Sequence, residues 1–95
     1  MTNYAKILKN NGFEIFKEND GYNLQQYTPA GEDWNIYLNK LKDLKEYAEN
    51  FDPEEEFIMW VEAKRSGFAG VPEIDELWQD QLWKQKLLSE IVKRL

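Results

Sequence analysis

Carboxylates are the abundant reactive group of this chain, and they are concentrated. Of the 20 residues from Asp43 to Glu62, eight are acidic (Asp43, Glu46, Glu49, Asp52, Glu54, Glu55, Glu56 and Glu62), and Lys45 is the only base among them. The stretch carries a net charge of −7 while the whole chain of 95 residues carries −6, so the negative charge is a local field set in a nearly neutral remainder. Carboxylates can do acid–base hydrolysis, ligate a cation, or stand in for phosphates. Hydrolysis of the glycosidase kind needs two carboxyls held across a cleft deep enough for a sugar, which a domain this small seldom has. Calcium of the EF-hand kind needs alternating oxygen ligands around a central glycine, and Asp52-Pro53-Glu54-Glu55-Glu56 has neither feature.

The chain contains no His and no Cys. Ser–His and Cys–His nucleophiles and His-based metal sites are thereby excluded, and zinc has no usual ligand set. These missing parts argue against an enzyme, a bound metal or a cofactor.

Part of the acidic stretch follows from helix chemistry alone. Asp52 is a natural N-cap, Pro53 suits the first helical position, and Glu55 is placed for a capping box. Glu54, Glu55 and Glu56 would each gain about 0.3–1 kcal/mol from the helix dipole. Asp43, Glu46 and Glu49 are different: they step by three along the preceding helix, where like charges roughly 5–6 Å apart cost a few tenths of a kcal/mol. Two readings stand. The row is a solvated face, or it is a docking surface whose pitch loosely imitates a phosphate strand and which a groove built for nucleic acid would accept. In the second reading Asp43, Glu46, Glu49, Asp52, Glu54, Glu55 and Glu56 carry the binding, with Glu32 and Asp33 beside them.

The elements that must position these residues can be read along the chain. Tyr4, Ile7 and Leu8 recur at helical spacing until Gly12, which can take the left-handed conformation that ends a helix. Residues 13–17 and 22–28 are rich in aromatic and β-favouring types and flank Asn19-Asp20-Gly21, a hairpin signal. Pro29-Ala30-Gly31 breaks the second strand, after which Trp34, Ile36 and Leu38 alternate with Asn35, Tyr37 and Asn39 as in a half-buried third strand. From Leu41 the period becomes helical, with Leu41, Leu44, Ala48 and Phe51 on one face. A second helix starts at Asp52-Pro53 with Phe57, Ile58 and Val61 facing inward, and Pro72 opens a last helix that could run to the C-terminus.

The expected fold is therefore α+β in the order α-β-β-β-α-α-α, a three-stranded antiparallel sheet with helices on one face, since a sheet this small cannot cover two. Residues 1–95 form a single domain. Four Trp, five Tyr and five Phe supply a dense core, so disorder is not expected despite 32% charged residues. The start of the chain lacks the apolar stretch of a signal peptide, and no apolar run approaches about 18 residues, which with the absence of Cys suggests a soluble protein of the cytoplasm that makes no membrane contact.

On the last helix Ile74, Leu77, Leu88, Ile91, Val92 and Leu95 gather on one face as a core stripe, and Trp83 falls nearly opposite, near Leu87, Glu76 and Asp80. Either Trp83 is an exposed aromatic anchor of a binding surface, or the helix bends or is wrapped by Met59 and Trp60 so that both faces are buried.

Two resemblances bear on these residues. Thr28-Pro29-Ala30-Gly31-Glu32-Asp33-Trp34, Tyr47-Ala48-Glu49-Asn50-Phe51-Asp52 and Gly70-Val71-Pro72 resemble a family of small uncharacterised proteins of phages and mobile elements of Gram-positive bacteria. The element order with acidic later helices is similar to that of small anti-CRISPR proteins that inhibit Cas9 by occupying its PAM-reading groove. The second resemblance implies a partner that is a basic nucleic-acid-binding protein such as a CRISPR effector, inside the host cell, with no direct contact to nucleic acid. The alternative is a module that mimics nothing, a homodimer or a phage regulatory subunit, using Trp83 and Leu87 as apolar anchors.

Overall fold

The structure, a computed structural model, describes residues 2–95. The first helix, α1 (Tyr4–Asn10), is capped by Asn3, whose side chain accepts from Lys6 N at 3.0 Å, and it buries Leu8 completely. Gly12 ends it at φ +90°, as its place in the sequence predicts. The amide of Gln26 donates to Asn11 O at 3.0 Å and so ties this helix end to the sheet.

Three strands follow, β1 (Glu14–Glu18), β2 (Gly21–Tyr27) and β3 (Asp33–Leu38), paired antiparallel in the order β1-β2-β3. Register sets Ile15 opposite Leu24 and Leu24 opposite Ile36, so one apolar row crosses the sheet on its inner face. The first turn is tight, with Glu18 pairing directly with Gly21. Gly21 is required there because a Cβ would collide with the carbonyl oxygen of Leu38 on β3. On the outer face Phe16 and Tyr37 flank Asn23 in one row and are both exposed.

All helices lie on the inner face. A short 3-10 turn (Leu41–Asp43) leads into α2 (Leu44–Asn50), which buries Leu44. Phe51 is extended, Asp52 accepts from Glu54 N at 2.9 Å, and α3 (Pro53–Arg65) begins at the expected proline. Asp52 caps α3 through this bond to Glu54 rather than through the anticipated box with Glu55. The last helix, α4 (Ile74–Val92), starts two residues after Pro72. The core joins Leu8, Phe13, Leu24, Trp34, Ile36, Leu38, Leu44, Leu88 and Ile91. The α+β class, the strand order and the one-sided helix layer agree with the sequence reading.

α3 departs from it. Phe57 and Val61 are half-buried, with Phe57 meeting Trp78 edge-on at 5.4 Å, but Ile58 is 57% exposed and no residue of α3 is fully buried. The helix rests chiefly on α4 and not on the sheet. One supporting neighbour covers only a narrow stripe of a helix, so the wide apolar face expected at 57, 58 and 61 is cut to its edge.

Candidate functional site

Five of the predicted acidic residues are brought together by the bend between α2 and α3. Asp43, Glu46, Asp52, Glu55 and Glu56 line one open groove of about 440 Å3, together with Tyr37, Asn39, Tyr47 and Asn50. The bend arises because Phe51 leaves the helical conformation and packs its ring toward Tyr47 at 6.3 Å, while Asp52 and Pro53 restart the chain as a new helix. The 3-10 turn, α2, the cap and the first turn of α3 therefore all present carboxylates to the same concavity.

None of these groove carboxylates is neutralised from within. Among the described residues the ion pairs are Lys64–Glu73 at 3.5 Å and Lys84–Glu32. Asp43 accepts from Lys40 N at 3.2 Å and Asp52 from Glu54 N, but both donors are backbone amides. No group of three or more acidic residues among those described is close enough to hold a metal ion. Burial pushes the Tyr47 hydroxyl above its ordinary 10.0; a hydrogen bond from the Trp34 indole opposes the shift and the negative charge of Glu56, which lines the same groove, adds to it.

The remaining candidates separate. Glu49 and Glu54 are exposed but do not line the groove. Asp33 is exposed at the start of β3 and shares a second cavity with Glu56, so it does lie next to the groove.

Glu32 does not belong to this surface: it is 0% exposed. Its carboxylate accepts from the Lys84 ammonium and, at 3.2 Å, from the Gln81 amide. Burial raises its pKa from the usual 4.5, against the lowering effect of Lys84. A carboxylate in the interior must find a cation, and the only fully buried Lys in the described chain is the one that meets it.

The pair is part of a larger clasp. Asp80 accepts from the Thr28 hydroxyl and, at 3.2 Å, from Ala30 N, while Thr28 Oγ1 accepts from Glu32 N at 2.9 Å. Lys84 also lies 5.3 Å from the Trp34 ring centroid and 5.7 Å from that of Trp60. The stretch Thr28 to Trp34 is thus a turn bolted onto α4 by Asp80, Gln81 and Lys84.

Sequence reasoning missed this clasp, although one signal was present. Leu77, Asp80, Gln81, Lys84, Leu88 and Ile91 follow core spacing on a single helix, and the three polar members interrupt an otherwise apolar stripe.

Trp83 is not an exposed anchor. It is half-buried, and its ring meets Trp34 edge-on with centroids 6.0 Å apart, while Leu87 also packs on the core. The burying partner is Trp34 from the sheet, not Met59, which is 52% exposed. Ile74, expected in the core stripe, is 48% exposed because it sits in the first turn of α4.

Comparison of the chain with protein-family models, with curated proteins and with solved structures finds no match. No helix among the described residues is long and apolar enough to cross a membrane.

Proposed function

We propose that this protein is a phage-type accessory protein that docks its acidic groove onto the DNA-gripping surface of a host nucleic-acid enzyme and so excludes DNA. The supporting observation is the groove itself: five carboxylates from consecutive elements share one concavity and lack an internal cation. Lys and Arg side chains that normally hold phosphates would find carboxylates in their place, and each partner would gain the counter-charge it lacks.

The most specific form of the proposal is inhibition of a Cas9-type effector through its PAM-reading groove, where Arg side chains otherwise meet DNA. That specificity rests on the resemblance in element order and charge. Binding would take place in the host cytoplasm, without contact to nucleic acid, and would need no metal or cofactor. The competing idea of apolar anchors at Trp83 and Leu87 loses its support, since both side chains are engaged in the fold.

The test is displacement of labelled PAM-containing duplex from guide-loaded Cas9 effectors of Gram-positive bacteria. Displacement that weakens steeply as salt shortens the Debye length to under about 10 Å supports the proposal. Undisturbed DNA binding across the set refutes the anti-CRISPR form.

A further inference from the structure

β3 is an edge strand: it pairs with β2 on one side, and among the described residues no strand lies on the other. Thr28 N donates to Glu32 O at 3.0 Å, and this pair continues the β2–β3 register. The bonded pairs that follow it fall at alternate positions, so the backbone groups of Trp34, Ile36 and Leu38 face β2. Those of Asp33, Asn35 and Tyr37 point away from the sheet, and no other backbone group among the described residues bonds to them. The same three residues border open space. Tyr37 lines the acidic groove, and Asp33 and Asn35 line an adjoining cavity of about 280 Å3 that shares Tyr47 and Glu56 with the groove. α3 supplies a wall of both, yet it rests on α4 and not on β3. A trough therefore runs along the free edge.

The chemistry of this trough selects its occupant. Its edge offers donors and acceptors at strand spacing, which another extended backbone matches residue for residue. Its walls are acidic: Glu46, Glu55 and Glu56 stand on α2 and α3, and Lys84, the one base in either lining, is matched by Glu32. A second copy of this chain would bring the same carboxylates against these, so like charge disfavours a paired dimer while a basic strand is complementary. We infer that the partner enters the groove as an extended segment with Lys or Arg at every second position, added antiparallel to β3 as a fourth strand. Its intervening residues exchange N–H···O bonds with Asp33, Asn35 and Tyr37, and its basic side chains lie on the inner face toward α2 and α3. This rests on the acidic groove as the docking surface and states the form of the segment it takes.

The test needs no effector. A blocked peptide, Arg-Thr-Arg-Thr-Arg-Thr-Arg, is added to nitrogen-labelled protein while amide exchange along β3 is followed. Edge amides exchange without unfolding and slow only when covered, so at about ten times the Kd exchange at Asn35 and Tyr37 should slow about tenfold. Two further peptides separate strand addition from charge. Methylating the Thr nitrogens removes the donors that face β3 and should weaken binding at least about tenfold, whereas methylating the Arg nitrogens alters groups that face away and should change it less than about threefold. Asn35→Pro removes the middle donor of the edge without breaking a bond to β2, and should weaken the unmethylated peptide about threefold or more. Should that variant not fold, the two methylated peptides decide on the wild-type protein alone. Equal binding of the methylated peptides, weaker binding of the Arg-methylated one, or unslowed exchange at Asn35 and Tyr37 would overturn strand addition. Failure of duplex displacement from a Cas9 effector leaves these outcomes intact, and failure of strand addition leaves the groove as a charged surface, so the two readings fall separately.

Discussion

Lys84 Nζ on α4 bonds directly to Glu32 Oε1, 52 positions earlier in the chain, with both side chains fully buried. The contact fastens the β2–β3 turn to the longest helix and fixes where Trp34 enters the core. Charges in such a place contribute little net stability as a pair, since desolvation offsets their attraction, but each becomes costly once the other is removed.

Lys84→Met should therefore destabilise the fold by about 3–5 kcal/mol, a large part of the roughly 5–15 kcal/mol available to a domain of this kind. Combining it with Glu32→Gln, which keeps an acceptor for Gln81, should recover stability relative to Lys84→Met alone. Urea unfolding of the three variants measures this. A Lys84→Met protein within about 1 kcal/mol of wild type would show that the pair does not hold the turn.

The raised pKa of Glu32 gives a pH dependence of definite sign. A carboxyl whose folded pKa exceeds its unfolded 4.5 binds its proton more readily in the native state. Its contribution is fully present below 4.5 and is lost as pH rises through the folded value. Relative to Glu32→Gln, which cannot titrate, the wild-type protein should gain stability as pH falls from about 7 to about 4. Denaturant midpoints of the two proteins across that range check it; a relative loss on acidification would mean that Lys84 holds the carboxyl low.

Gly21→Ala should cost more than about 1 kcal/mol, because its Cβ meets the backbone of Leu38 and Asn39 rather than a flexible side chain. Gly31 has open space around the equivalent atom, so strain from its φ of +91° alone would act there. Thermal melts compare the two, and an unperturbed Gly21→Ala protein would contradict the close strand approach.

Local signals made much of the fold legible. Asp20-Gly21 marks the first turn, Trp34, Ile36 and Leu38 alternate as an inward face, and Asp52-Pro53 starts α3, all within a few residues of their effect. Glu32 misled because its partner lies on another element; a lone acidic residue before Asp33 looks solvated until Lys84 is placed against it. Trp83 misled for a related reason, since a helical wheel describes one face of α4 and the Trp34 ring covers its flank. The groove was half legible: the run of carboxylates predicts a charged surface, but only the bend at Phe51 decides that Glu46 and Glu55 share it while Glu49 and Glu54 do not.

That division supplies the most direct test of the docking proposal. Glu46→Lys with Glu55→Lys and Glu49→Lys with Glu54→Lys give two proteins of identical net charge, differing in whether the reversed residues line the groove. All four sites are exposed, so stability should shift by less than about 0.5 kcal/mol per site. In the displacement of duplex DNA from a guide-loaded Cas9 effector, the groove pair should weaken inhibition by about tenfold or more, and the outer pair far less. Equal inhibition by the two proteins would contradict the account, since it would make the groove no more than one part of a general negative charge.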